Sequence, residues 1–374
     1  MSLVPREVRA DDEQITIGRA WPRSVSSTEL RLRVEGRDDE GRLRAGTLDL
    51  RRDPTPGQPW AVHRARLAPF ATDDALPGLQ GLPGDLVVHR VGRRAVVRRS
   101  DDYVKVVRPD LVAPLLRAHD TGAHLAARAG WGAPHAEEVP DRPGAVSLPT
   151  MPGVPMHDLA AVADVRVLRR AWRTFAAGWP RIVDGDATPQ LPVHDAVAEA
   201  DLTAEAVHRA IAACPAPPDA RAAILPRLED VRAALLTDPG PARCPSHRDL
   251  HDKQILVGER LSLLDLDTAA LAEPELDLAN LLEHVLLRGR QGTWSEAAVA
   301  AGVDGVSGAA STIGADPRRL AAYRAATRLR IASIYLFRPR WSTQAQEWLT
   351  TDVDEGPLID ISPSGHQPLG GYRA

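Results

Sequence analysis

Residues 247–267 read "HRDLHDKQILVGERLSLLDLD". The first eight hold His247, Asp249, His251, Asp252, Lys253 and Gln254, and two apolar segments, "QILV" and "LSLLDL", follow. Two short apolar runs around a turn predict a β-hairpin. A hairpin returns the end of its second strand to the start of its first, so Asp265 is expected beside Asp249 and Gln254. Two carboxylates and an amide oxygen form a hard, oxygen-only donor set, suited to Mg²⁺ with phosphates better than to Zn²⁺. Asp residues also cap helices and close turns, and for Asp265 or Asp267 taken singly both readings stand. The constellation as a whole points to chemistry.

The rest of the chain narrows the setting. Its 374 residues exceed one small core and suit two or three units. With 44% hydrophobic and 26% charged residues it reads as globular. The formal net charge of -4, with Arg interspersed among Asp and Glu, lacks the basic excess of a nucleic-acid binder. Cys214 and Cys244 fall in no metal or redox spacing, which fits a reducing cytoplasm. The first residues lack the pattern of a signal peptide, and no apolar run approaches the roughly 20 residues that span a bilayer. Lys105 and Lys253 are the two lysines in an Arg-rich sequence. A position that keeps Lys against that bias points to a need for an ammonium.

Working outward from the motif, residues 1–84 read as a β-rich module. "TELRLRVEG" and "RLRAGTLDL" alternate about the turn "RDDEG" and predict a hairpin. Residues 85–155 hold three short strands, "DLVVHRV", "RRAVVRR" and "DYVKVVRP", then a helix with Leu111, Leu115, Leu116 and Leu125 near helical spacing, then a strand and a Pro/Gly-rich connector. Residues 156–350 are mainly helical. "DVRVLRRAWRTFAAGW" places Val167, Leu168, Ala171, Trp172, Phe175 and Trp179 on one broad face. Residues 351–374 form a Gly/Pro-rich tail.

"HRDLHDKQIL…LLDLD", followed by "AEPELDLANLL", resembles the H-[GR]-D-x-x-x-x-N…[IL]-D-x-[DEG] and D-P-x-x-D-L-A segments of aminoglycoside phosphotransferases and the wider protein-kinase-like small-molecule kinases. "DYVKVVRP" and "VSLPTMPGVPM" are similar to that family's lysine strand and hinge, and the resemblance covers about residues 85–350. The β-rich module resembles the cap of actinobacterial maltokinase-like and glucosamine-kinase-like enzymes. The resemblance implies an α+β, bilobal protein-kinase-like fold: a small antiparallel N-lobe sheet, a helical C-lobe and a preceding cap. It implies transfer of a γ-phosphate from ATP or GTP, with Mg²⁺, to a hydroxyl of a small molecule. Asp249 would take the hydroxyl proton. Gln254 and Asp265 would hold the metal. Lys105 would contact the phosphates, with Asp120 as its helix partner, and Met151 and Gly153 would form the nucleotide hinge. His247 would brace the loop, and Asp277 would cap its helix and fix the loop. Lys253 either assists the γ-phosphate or faces solvent.

Three departures matter. Gln254 replaces Asn and adds roughly 1.5 Å of reach. The expected phosphate loop, "HRVGRRAVV", has Gly92 alone, with Arg93 and Arg94 expected to point outward. A helix Glu for Lys105 is missing, which leaves His119 or Asp120, the latter the better electrostatic partner. These departures keep a nucleotide-binding pseudokinase, with a regulatory or scaffolding role, as the alternative. Only "TAALAE" separates "DLD" from "PELD", too short for a peptide-docking activation segment, so a small-molecule acceptor is expected; the resemblance implies a sugar, amino sugar or aminoglycoside-like compound. Glu283, His284 and Arg288 either face that acceptor or form the polar side of an amphipathic helix. No nucleic-acid or membrane partner is expected.

Overall fold

The computed structural model describes residues 2–10, 13–53, 60–185, 191–214 and 218–350. The expected tail over 351–374 lies outside the described residues.

The β-rich module is one antiparallel sheet in sequential order: β1 (Glu7–Ala10), β2 (Glu13–Val25), β3 (Glu29–Asp38), β4 (Leu43–Arg52) and β5 (Trp60–Leu67). The β3–β4 hairpin turns through "RDDEG" and pairs Leu30 with Leu50 and Leu32 with Leu48. All four leucines are fully buried, because alternation puts them on one face of the pleat.

A second five-stranded sheet follows. Its strands are β6 (Asp85–Arg90), β7 (Arg94–Arg98) and β8 (Asp102–Val107), then, after α1 (Val112–Arg128), β9 (Glu137–Glu138) and β10 (Ala145–Pro149), in spatial order β6-β7-β8-β10-β9. Ala95, Val97, Val104 and Val106 point to one side and pack under Leu76, Leu79 and Leu82. The alternate residues Val96 and Lys105, paired across β7 and β8, point to the other side.

The remaining chain is helical apart from the short strands that carry the motif. The connector β11 (Val154–Pro155) leads to α2 (Met156–Val162), α3 (Val165–Val183), α4 (Ala196–Ala213) and α5 (Pro218–Leu236). Then come β12 (Cys244–Ser246), β13 (Ile255–Val257), β14 (Leu261–Leu263) and β15 (Ala270–Ala272), and finally α6 (Glu275–Arg290), α7 (Glu296–Thr312), α8 (Pro317–Tyr335) and α9 (Ser342–Thr350). Helix α3 buries Leu168, Ala171, Trp172, Phe175 and Trp179 as its periodicity predicts, but Val167 is 51% exposed and lies off that face. Gly305 of α7 meets the Trp172 ring edge-on; a Cβ there would lie 2.6 Å from Trp172 Cβ, so the two helices approach closely only because position 305 is glycine. The whole is the expected α+β bilobal architecture: a small antiparallel sheet, a helical lobe and a β-rich cap.

The cap is fastened to both lobes. His89 N donates to Glu35 at 2.8 Å on the small-lobe side. On the helical side Ala20 N donates to Phe337 O at 2.9 Å, and Trp60 Nε1 donates to Ala213 O at 2.6 Å. No helix among the described residues is long and apolar enough to cross a membrane.

Candidate active site

The motif hangs between two small strand pairs. β13 and β14 form the expected hairpin, with Ile255 opposite Leu263. β12 pairs with β15, Ser246 opposite Ala270, and so closes the segment at its base. Two non-glycine residues of the motif lie in the left-handed region, Arg248 (φ 65°) and Asp265 (φ 54°). Such a conformation costs free energy unless its surroundings fix it. Here Asp277 fixes the first: its carboxylate accepts from His247 N at 2.6 Å and Arg248 N at 2.8 Å. His247 Nε2 bonds Leu264 O at 2.7 Å, Thr268 Oγ1 donates to His247 O at 3.0 Å, and Asn280 Nδ2 donates to Leu250 O at 2.9 Å. His247 thus braces the loop. Asp277 fixes it from the first turn of α6, whose N-cap is Pro274, so its helix-capping role is corrected.

One turn further on, Asp252 is fully buried and forms the seat of the loop. Arg288 of α6 grips it with both edges, Nε–Oδ2 at 2.8 Å and Nη2–Oδ1 at 2.9 Å, while His157 Nδ1 lies 2.6 Å from Oδ2. Burial would raise its pKa, but the bonds to His157 and Arg288 hold it below the carboxylate range. Arg288 is therefore committed to the loop, not to an acceptor. Glu283 is likewise buried against Arg324, 2.8 Å away. His284 packs its ring 4.9 Å from that of His251, and burial lowers the pKa of both imidazoles. The amphipathic-helix reading of these three residues is replaced by buried packing.

Against this frame the functional side chains converge. Lys105, 5% exposed, extends from β8 and donates to Asp265 Oδ1 at 2.7 Å and to both oxygens of Asp267 at 2.7 Å. Burial opposes the ammonium, yet the two carboxylates raise its pKa. Burial likewise raises Asp265, but Lys105 and Arg94 outweigh it and leave the carboxyl ionised below its usual range. Gln254 Nε2 lies 3.4 Å from Asp265 Oδ2 and 3.4 Å from His251 Nε2. Asp249, two residues from the brace at His247, is exposed. Lys253 is exposed as well.

Three expectations are corrected. Asp120 does not reach Lys105; it is exposed and lies 3.3 Å from His135 Nδ1. The adjacent His119, fully buried, faces the site instead, its Nε2 3.0 Å from Asp267 Oδ1. One residue along a helix is a rotation of about 100°, which separates the two outcomes. The carboxylate that accompanies Lys105 is Asp267, from the far lobe. Finally, Arg94 does not point outward; its guanidinium is 3.9 Å from Asp265.

At the hinge, Met151 is half-buried and its Cε approaches Gly132. Gly153 has φ +125°, and a Cβ there would lie 2.9 Å from Val257 O, so the connector crosses β13 where only glycine fits. The β6–β7 turn departs from a phosphate cradle. Gly92 N donates to Asp73 of the cap segment at 2.7 Å, so that amide is already engaged.

A divalent cation is implied by the motif, and the donor set fits one. Asp265 offers a hard carboxylate oxygen, the Gln254 amide beside it carries a second oxygen donor once turned over, and a cation, the Lys105 ammonium, already rests against Asp265 and Asp267. Among the described residues no group of three or more His, Cys, Asp or Glu side chains is arranged to hold a metal. Phosphate oxygens would therefore complete the coordination, as is usual for Mg²⁺.

No protein-family model and no curated protein matches the chain. Solved structures do. An aminoglycoside-3'-phosphotransferase of type VIII is 18% identical over 70% of this chain and 100% of its own, with a TM-score of 0.48. A choline/ethanolamine kinase family protein from Mesorhizobium loti is 16% identical over 74% and 92%, at 0.47. A glucosamine kinase is 20% identical over 91% of this chain and 92% of its own, at 0.46. These similar structures are small-molecule kinases and phosphotransferases. Likeness of this degree carries no inference about the reaction here, which rests on the side chains described above.

Proposed function

We propose that the protein is a small-molecule O-phosphotransferase that uses ATP or GTP with Mg²⁺ and passes the γ-phosphate to a sugar or amino-sugar type hydroxyl. The observation that carries this reading is the convergence of Lys105, Asp265 and Gln254 at a loop braced by His247, Asp277 and Asp252, on which Asp249 is exposed. Phosphoryl transfer asks little covalent chemistry of a protein and much charge neutralisation and positioning. Asp249 would orient the acceptor hydroxyl and take its proton. Asp265 and Gln254 would hold the metal, which neutralises phosphate charge when bound. Gln254 turns its amide nitrogen toward Asp265; turning the amide over presents its oxygen instead. Lys105, released from part of its pairing with Asp265 and Asp267, would reach the phosphates. Met151 and Gly153 would border the nucleotide base.

The short link from Asp267 to Pro274, taken up by a single 3₁₀ turn and β15, favours a small acceptor over a peptide. One observation favours the alternative, a nucleotide-binding pseudokinase: the Gly92 amide is occupied by Asp73, so the loop offers little backbone cradle. Thermal melting with MgATP and with MgGTP, beside Asp265→Ala, tests nucleotide binding through stabilisation of the folded state. Product formation across a panel of sugars and amino sugars then separates enzyme from pseudokinase. Absence of any nucleotide-dependent stabilisation removes both readings.

A further inference from the structure

Arg90 ends β6 and pairs with Arg94 across the β6–β7 hairpin. Val96, two residues beyond Arg94, pairs with Lys105. Cross-strand partners and alternate residues share a face, so Arg90, Arg94, Val96 and Lys105 line the cleft side of the small-lobe sheet. At Arg90 this row meets the cap. The Trp21 ring of β2 is surrounded there by three guanidinium groups: Arg90 at 4.9 Å, Arg338 at 5.2 Å and Arg19 at 5.6 Å from its centroid. They come from the small lobe, the end of the helical lobe and the cap.

The charges in this group do not balance. Glu35 is the carboxylate that meets it, and Glu35 is taken up by Arg19 Nε at 2.7 Å and by the His89 amide. Arg338 donates one bond, to Ala20 O at 2.9 Å. Arg90 Nε is buried and has no hydrogen-bond partner among the described residues. Burial and the charges of Arg93, Arg33, Arg94 and Arg209 push the Arg90 pKa down to about 10, so the group remains protonated at neutral pH. Arg338 is pushed down to about 10 as well, by burial and by Arg19 and Arg90. With Arg19 paired to Glu35, the charges of Arg90 and Arg338 remain; a tryptophan face attracts a cation but does not neutralise two that repel one another. Unpaired buried donors beside surplus positive charge are completed by an anion.

We propose that Arg19, Arg90 and Arg338 around Trp21 form a binding site for a phosphate group, either inorganic phosphate or the phosphate of a small ester. Three guanidinium groups drawn from three directions suit an oxyanion with several oxygens better than a carboxylate, which one fork satisfies. The site is separate from the Lys105 cluster, whose charge Asp265 and Asp267 already neutralise, and it stands whether or not the kinase reading holds.

The test is thermal melting of the full chain, free of nucleotide and divalent metal, titrated with sodium phosphate against sodium chloride at matched ionic strength. Wild type should show a saturable rise with phosphate. The general stabilisation by excluded phosphate at high concentration is unsaturable and shared by all variants. Arg90→Gln should lose the saturable part, or weaken the apparent affinity about tenfold or more. Its melting temperature without phosphate should stay the same or rise, because repulsion is relieved. Arg19→Gln, a change at a part-exposed side chain, should weaken phosphate in the same direction. Glycerol phosphate in place of inorganic phosphate distinguishes the sources: a tighter response identifies an ester site, an equal or weaker one a site for the free ion. A wild type without saturable stabilisation overturns the proposal. So does an Arg90→Gln protein that melts lower yet keeps the full phosphate response.

Discussion

Arg288→Met isolates what seats the candidate catalytic loop. Asp252 is fully buried and is held by two bonds from Arg288 and one from His157. Methionine keeps most of the aliphatic stem and removes the charge. The carboxylate is then left in the protein interior with one imidazole, and breaking a buried pair in this way costs about 3–5 kcal/mol. At about 2–4 °C per kcal/mol for a lobe of some 200 residues, the melting temperature should fall by about 6–20 °C at pH 7. Thermal and urea melts read this directly. The pH dependence gives a second check. In wild type the folded Asp252 pKa is depressed, so its contribution is present above the unfolded carboxylate value of about 3.9 and is lost as pH falls through the acid range. In Arg288→Met only His157 is left to offset burial, so the folded pKa lies higher than in wild type. The deficit relative to wild type should therefore narrow as the solution is acidified into the carboxylate range. The double variant Asp252→Leu/Arg288→Met should be more stable than Arg288→Met alone, since no unpaired charge remains. A deficit under about 1 kcal/mol at pH 7, or one that stays constant on acidification, would refute the assignment of Asp252–Arg288 as the anchor of the loop.

Asp249→Asn should abolish phosphoryl transfer while nucleotide-dependent stabilisation stays near the wild-type value; retained turnover would remove Asp249 from the chemistry. Asp267→Asn takes a charged partner from Lys105 and His119, and should weaken MgATP binding about tenfold or more; tighter binding would recast Asp267 as a competitor for the lysine. Asp120→Ala, at an exposed position facing His135, should change stability by no more than about 0.5 kcal/mol and leave nucleotide affinity alone. A loss of affinity there would restore Asp120 to the site. Gln254→Asn should keep or raise transfer activity if the amide is a ligand, whereas activity lost from a fully folded variant would show a loop built around the longer side chain.

What the sequence disclosed follows from the range over which each interaction acts. The β3–β4 and β13–β14 hairpins were legible because alternation and turn residues are local, and the β13–β14 hairpin brings Gln254 against Asp265 with no help from the rest of the chain. The seating of that loop was not legible. Arg288, Glu283 and His284 look like the polar side of an amphipathic helix, yet each is buried against a partner supplied by another segment: Asp252, Arg324 and His251. Nothing in helical spacing distinguishes a solvated charge from one whose counter-charge lies 36 residues away, as Asp252 does from Arg288.

The choice between His119 and Asp120 is different, because a signal for it was present. Leu115, His119, Gly122 and Ala126 recur at helical spacing on α1, and Leu115, His119 and Ala126 are buried with Gly122 between them. Gly122 faces Leu266, where a Cβ would lie 2.7 Å from Leu266 Cδ1. The stripe therefore fixes which side of α1 meets the segment between Asp265 and Asp267, and His119 belongs to it while Asp120 does not. Electrostatic preference favoured Asp120, since a lysine is expected to seek a carboxylate from its own lobe. Helix phase decides against it: a side chain that faces away cannot pair, whatever its charge. The requirement for a carboxylate was then met from across the cleft, by Asp267. As a result Lys105 joins the small lobe to the "DLD" segment, so any ligand that took up its ammonium would also loosen a contact between lobes.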